Sequence, residues 1–196
     1  MIIGLTGQSG SGKSFAAKFF EQNGFVIIDF DKLSREVTGA GSPCLSEIEK
    51  EFGVGVICEN GSLNRRALGE IVFADSQRLA TLNSITHKYI LKEAEALVKK
   101  YKGSNIVFDA PLLFQANLHE KCDYCLSILA DEKIKIARIM ARDGISKMTA
   151  ANRLASQPDD EFFLKKSDKC IYNNADASAF EKELSDVLGN LFKECN

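Results

Sequence analysis

Eight residues near the start of the chain, Gly7-Gln8-Ser9-Gly10-Ser11-Gly12-Lys13-Ser14, have the types and spacing needed to hold a polyphosphate. Phosphate oxygens must approach the main chain closely, so glycines stand where side chains would collide and permit positive φ. The N–H groups of such a loop point inward as an anion nest at a helix start, where the dipole favours negative charge. In the pattern Gly-x-x-x-x-Gly-Lys-Ser the lysine supplies a point charge to the β- and γ-phosphates, and the serine hydroxyl ligates Mg²⁺. Those roles fall to Lys13 and Ser14, and Gly10, Ser11, Gly12 and Phe15 complete the expected ATP site with their backbone. A chance match in a glycine-rich turn is the alternative. A strand immediately before the loop and a helix immediately after it argue against chance. The loop says nothing about a second substrate.

Three further groups could do chemistry. Asp29 and Asp31 close an apolar run at the strand edge that should also carry the loop, the edge where open α/β sheets bind ligands. In an extended chain, residues two apart point the same way. A carboxylate there can orient an acceptor hydroxyl and take its proton. Alternatively, Asp31 caps a helix beginning at Lys32, although one cap does not account for two acids. Asp109 ends Ile106-Val-Phe-Asp109, either as a second Mg²⁺ ligand or as a turn-former before Ala110-Pro111. Lys133, Lys135, Arg138, Arg142, Lys147 and Arg153 lie in a stretch whose only acid after Lys133 is Asp143. Arg138 and Arg142 are four apart, on one helix face. The stretch is either a lid whose arginines close over phosphates or a solvated helix face.

The elements that must position these residues follow from periodicity. Ile2–Thr6 is a buried strand, and a helix from Lys13 to about Gln22 buries Phe15, Ala16, Phe19 and Phe20. Phe25–Ile28 is the second strand of a βαβ unit with a right-handed crossover. Asp31–Thr38, Pro43–Phe52, Asn64–Phe73 and about Gln77–Tyr101 read as helices, with a turn at Glu59–Ser62. That block is too long for a crossover and reads as a helical insertion. Strands resume at Asn105–Phe108 and Tyr124–Leu129. A helix from Glu132 to about Arg142 breaks at Asp143–Ser146, and a second carries Lys147 and Arg153. Lys169–Tyr172 is a short strand, and a closing helix runs from about Ala177 to Phe192. The fold class is α/β, a parallel five-stranded sheet flanked by helices, with a helical insertion and a small lid.

Composition narrows the function classes. The 196 residues carry a net charge of −2, which gives no electrostatic case for binding nucleic acid or a membrane surface. No apolar run reaches the roughly 18–20 residues that span a bilayer. The N-terminus lacks a signal-peptide pattern, so the cytoplasm is the expected compartment. The sequence offers no sign of an obligatory protein partner. Six cysteines are present, and only Cys122 and Cys125 are closely spaced. Without a second pair they make no zinc site, and they read as reduced thiols at the start of a buried strand.

Taken together, the chain resembles the dephospho-CoA kinase family over nearly its whole length. The segments are Gly4–Ser14, Ile28-Asp-Phe-Asp31 with Arg35-Glu-Val37, Gly61–Leu68 leading to Val72-Phe73, Leu82-Asn-Ser-Ile-Thr-His87, Asp109-Ala-Pro-Leu-Leu-Phe114, Arg142-Asp143 and Ser167–Asn173. The resemblance implies a nucleotide-binding core at 1–30, 104–131 and 167–196, a helical domain for the acceptor at 31–103, and a lid at 132–166. It implies transfer of the ATP γ-phosphate to the ribose 3′-hydroxyl of dephospho-coenzyme A, with Mg²⁺. Asp31 then takes the base or hydroxyl-orienting role beside Asp29, and Arg142 becomes the lid contact to phosphate. His87 is either a substrate contact or a structural hydrogen-bonding residue, and His119 has no motif around it. Three departures stand out. Gln115 stands where Glu is frequent and is assigned no role. Lys88 stands where Pro is usual, a change expected to alter the helix start. Phe15 stands where Thr is common, with only its backbone expected at the phosphate. Another nucleoside or nucleotide kinase is the nearest rival reading. A GTPase switch is the distant one, since no Asn-Lys pair exists to build its guanine-reading motif.

Overall fold

A computed structural model describes residues 1–194. Its chain divides into two compact units, Met1–Ile27 with Gly103–Asn196, and Ile28–Lys102. Among the described residues the sheet is five-stranded, in the order β2-β3-β1-β4-β5: β1 is Ile2–Thr6, β2 Val26–Asp29, β3 Ile106–Asp109, β4 Tyr124–Leu129 and β5 Lys169–Tyr172. β1 pairs in parallel with β3 and with β4, and β4 with β5. The central strand is flanked on both sides, so Ile3 and Leu5 are fully buried, as a parallel sheet covered on both faces requires.

In the first unit, α1 (Lys13–Gln22) lays Ala16, Ala17, Phe19 and Phe20 on the sheet, and Asn23 and Gly24 end it. α9 (Ala177–Glu194) adds Phe180, Leu184, Val187 and Leu191 to the same core. Each of the larger side chains among these contributes about 1.5–3 kcal/mol by leaving water. α6 (Glu132–Asp143) and α7 (Lys147–Ala155) make a smaller cluster from Ile136, Ile139, Ala150 and Leu154. The break between them is Gly144, at φ 65°. α8 (Asp160–Lys166), which periodicity did not suggest, precedes β5. Cys122 and Cys125 are free thiols at the entry to β4. A hydrogen bond between them, joined by burial, pushes the Cys122 thiol up, and the same bond draws Cys125 down against the opposing effect of its burial. Cys195 lies outside the described residues.

The second unit is helical: α2 (Phe30–Val37), α3 (Pro43–Phe52), α4 (Arg65–Ala74) and the long α5 (Ser76–Lys100). Cys44, Ile48, Val56, Leu68, Val72 and Ile85 form its core. Ser42, Asn64 and Asp75 cap α3, α4 and α5 with side-chain oxygens. Arg65 donates to Thr38 Oγ1 at 2.9 Å, tying the start of α4 to the end of α2. α5 runs unbroken through Lys88, starting twelve residues earlier at Ser76. A lysine keeps the backbone N–H that a proline would remove, and its ammonium instead pairs with Glu47 at 2.7 Å.

Candidate active site

The loop between β1 and α1 owes its shape to glycine. Gly10 and Gly12 have φ of 79° and 105°, a region that side chains strain to reach. A Cβ on Gly10 would lie 2.6 Å from the carbonyl oxygen of Lys135, and one on Gly12 would strike the amide of Asn173. No side chain caps α1, whose N-cap is Gly12; Phe15 N and Ala16 N bond Gly12 O at 2.9 and 3.2 Å, and the amides of Lys13 and Ser14, the first two of the helix, are the ones placed for a ligand.

The loop's carbonyls are held from outside. Asn173 Nδ2 donates to Ser11 O at 2.8 Å, and Arg138 Nη1 donates to Gly10 O and Ser11 O at 3.2 and 3.3 Å. Arg138 Nη2 also donates to Asn173 Oδ1 at 3.3 Å. A peptide whose C=O is pinned on one side directs its N–H to the other; Ser11 N is itself bonded to Gln8 O at 3.2 Å, so it is the Gly12 amide, behind the Ser11 carbonyl, that these bonds aim inward. The first half of the loop is gripped elsewhere. Ser9 N donates to Gln157 Oε1 at 2.9 Å, while Gln157 Nε2 donates to Ser9 Oγ at 3.0 Å. Gln8 Nε2 donates to Pro158 O at 2.7 Å, and Lys135 Nζ donates to Gln8 Oε1. Ser11 is fully buried, its Oγ without a partner.

Lys13 forms an ion pair with Asp109, both side chains being largely buried. The register explains the meeting: Asp109 stands opposite Leu5 at the carboxyl end of β3, beside the strand that feeds the loop. Ser14 is exposed. A cavity of about 240 Å³ lies at the end of the loop, lined by Gly12, Phe15, Arg138, Asn173, Ala175, Ala177 and Phe180. The Phe15 ring is 40% exposed and sits 5.5 Å from that of Phe180. Phe15 thus brings a side chain as well as its backbone, a contribution the sequence reading did not anticipate.

Arg138 and Arg142 share a helix but not a partner. Arg142 holds Asp143 with two bonds, of 2.7 and 2.9 Å, and Arg153 joins them. These guanidinium groups lower the Asp143 carboxyl to about 2, the Arg142 hydrogen bond contributing most. Arg138, which the sequence offered with Arg142 as a pair of arginines on one face of a lid or of a solvated helix, is the arginine bonded to the loop.

In the second unit Asp29 and Asp31 are both exposed. The chain does not stay extended beyond Asp29: α2 begins at Phe30, and Asp29 Oδ1 accepts from Lys32 N at 2.9 Å. The cap is therefore Asp29, not Asp31. Asp31 lies in the first turn of α2, where the dipole favours a carboxylate, and its side chain is not spent on capping. His87 is half-buried on α5. Asn173 and Gln157 were supporting residues that sequence reading missed, and Lys135 was read only as one charge of the basic stretch, not as a contact to the loop. For Asn173 a signal existed, since it follows β5 directly, as Asp109 ends β3.

Known proteins are similar to this chain over nearly its whole length. The family model described as dephospho-CoA kinase matches residues 1–179. A dephospho-CoA kinase of Halalkalibacterium halodurans is 37% identical over 96% of this chain and 95% of its own length. A solved protein of Thermus thermophilus superposes with a TM-score of 0.85 at 28% identity, covering 97% of each chain. The dephospho-CoA kinase of Campylobacter jejuni gives 0.71 at 27% identity, covering 100% of this chain and 98% of its own.

Proposed function

The chain belongs to the dephospho-CoA kinase family, and from that premise we propose how its own residues move the ATP γ-phosphate to the ribose 3′-hydroxyl of dephospho-coenzyme A, the final step of coenzyme A synthesis. The observation that carries the reading is the family match along residues 1–179, which takes in the phosphate loop and the helical unit alike.

Gly10, Ser11, Gly12, Lys13, Ser14 and Phe15 bind the triphosphate with backbone amides and the Lys13 ammonium. The cavity beside Phe15 takes the adenine. Its apolar wall of Phe15, Ala177 and Phe180 suits a flat ring, and Arg138 and Asn173 add polar groups at its rim. Asp31 accepts a hydrogen bond from the 3′-hydroxyl and takes its proton as the phosphoryl group leaves ATP, while Asp29 holds the start of α2. His87 contributes to the acceptor side within residues 31–103. Arg142 reaches phosphate from the 132–166 lid by exchanging its Asp143 bonds for phosphate oxygens.

The donors suit magnesium, because the Ser14 hydroxyl and the Asp109 carboxylate are hard oxygens and Mg²⁺ usually takes few protein ligands. When bound, the ion neutralises charge on the β- and γ-phosphates. Lys13, now paired with Asp109, turns to the phosphates when ATP enters. ATP and dephospho-coenzyme A are the partners of this reading, and the cytoplasm is its setting. Among the described residues no helix is long and apolar enough to cross a membrane.

The test is a phosphorylation assay of the purified protein with ATP, comparing dephospho-coenzyme A with nucleosides and nucleoside monophosphates. Turnover should be confined to dephospho-coenzyme A. Preference for a nucleoside or nucleotide acceptor would overturn the assignment.

A further inference from the structure

Lys135 is a buried cation that phosphate-loop chemistry does not call for. It sits on the inner side of α6 with only 4% of its surface exposed. Its ammonium donates to Gln8 Oε1 inside the loop and to Asp160 Oδ1 at 3.0 Å, at the start of α8. Its backbone carbonyl packs against Gly10 so tightly that a Cβ there would approach within 2.6 Å. The lysine therefore touches the loop at both ends, through its main chain at Gly10 and its ammonium at Gln8.

Burying a lysine ammonium is costly unless it is paired and hydrogen-bonded. Bracing a glutamine would need no charge, since a neutral donor could bond Gln8 Oε1 equally well. Asp160 supplies the compensating charge, but unequally: its side chain is 33% exposed against 6% for Lys135. Water screens the anion more than the cation, so the pair presents net positive potential towards the loop.

We propose that Lys135 is a positioning residue for phosphoryl transfer that fixes the Gln8 end of the phosphate loop and adds, behind Gln8, a buried positive charge for ATP beyond those of Lys13 and the α6 arginines. Asp160 moderates that charge. The proposal rests on the reading that Gly7–Ser14 holds the phosphates of ATP, and it concerns a group that touches the loop rather than the reacting atoms.

The two halves of the pair give it a signature in sign. A bracing role alone predicts that removing either partner loosens the loop and weakens ATP. The charge role predicts opposite shifts. Calorimetric titration of ATP into the full chain should show Lys135→Met raising Kd about tenfold. Lys135→Arg should stay within about threefold of the parent, and Asp160→Asn should lower Kd about threefold. KM for dephospho-coenzyme A should move less than about twofold, because only donor-side binding is touched. Should Lys135→Met not fold, Lys135→Gln removes the same charge while keeping a polar end for Gln8. Weaker ATP binding in Asp160→Asn, or an unchanged Kd in the lysine variant, would overturn the proposal. Failure of the unaltered protein to bind ATP would instead strike the underlying reading of the loop.

Discussion

The phosphate loop and the carboxylates at the start of α2 are both short segments following a strand, yet they are held in opposite ways. Side chains 127 to 162 positions away in sequence grip the loop: Lys135 and Arg138 from α6, Gln157 from the turn before α8, and Asn173 after β5. Asp29 bonds a backbone amide three residues on, and Asp31 rides on the helix that this cap begins. A donor site that must present many amides to one anion needs its peptide planes fixed from several directions. A single proton acceptor needs only a helix turn. Perturbations should accordingly spread in the first region and stay local in the second.

The largest effect that would sharpen this contrast is expected from Lys13→Ala. Losing the loop's own ammonium should lower kcat on the order of 10³ and weaken ATP as well, measured by steady-state kinetics with titration of both substrates. Retained turnover would mean that the Lys13–Asp109 pair is structural. Gly12→Ala comes next. The methyl strikes the Asn173 amide and forces φ of 105° on a residue that resists it, so ATP affinity should fall by about tenfold or more. If the loop tolerates the change, its grip by Asn173 is looser than described.

Ile48→Ala probes the helical unit in isolation. Ile48 is fully buried in that unit's core, and truncation should cost about 2–5 kcal/mol in denaturant unfolding. Kd for ATP should not change, and a large change there would deny the independence of the two regions. The smallest effect belongs to Asp143. Its carboxyl is lowered in the folded chain to about 2, so its pairing with Arg142 and Arg153 favours folding above the unfolded pKa and is lost as pH falls through the folded one. Asp143→Asn should therefore be slightly less stable than the parent near neutrality, with the gap closing between about pH 4 and pH 2. A gap that persists at pH 2 would assign the loss to something other than the ion pairs.

How much of this could be read from the chain depended on whether a feature was local. α3 over Pro43–Phe52, β4 over Tyr124–Leu129 and β5 over Lys169–Tyr172 have the bounds that pattern and turn signals suggest. The loop was legible because glycine spacing states its own geometry. α8 was not, since seven residues are too few for a helical period to declare itself against the flanking loop. The error at Asp29 was one of boundary: a residue can end a strand and cap the next helix at once, and pattern alone favoured the later acid. Lys135 and Arg138 were visible as charges in a run, but their partners lie at the other end of the sequence. No periodicity encodes that Gln157 faces Ser9.

Asp31→Asn tests the central claim most directly, with ATP binding and turnover measured on the same preparation. The side chain keeps its size and its place in the first turn of α2 but can no longer take the acceptor's proton. ATP binding should remain within about twofold of the parent, while kcat towards dephospho-coenzyme A falls on the order of 10²–10⁴. Unchanged turnover would remove Asp31 from the mechanism and contradict the account of how phosphate reaches the 3′-hydroxyl.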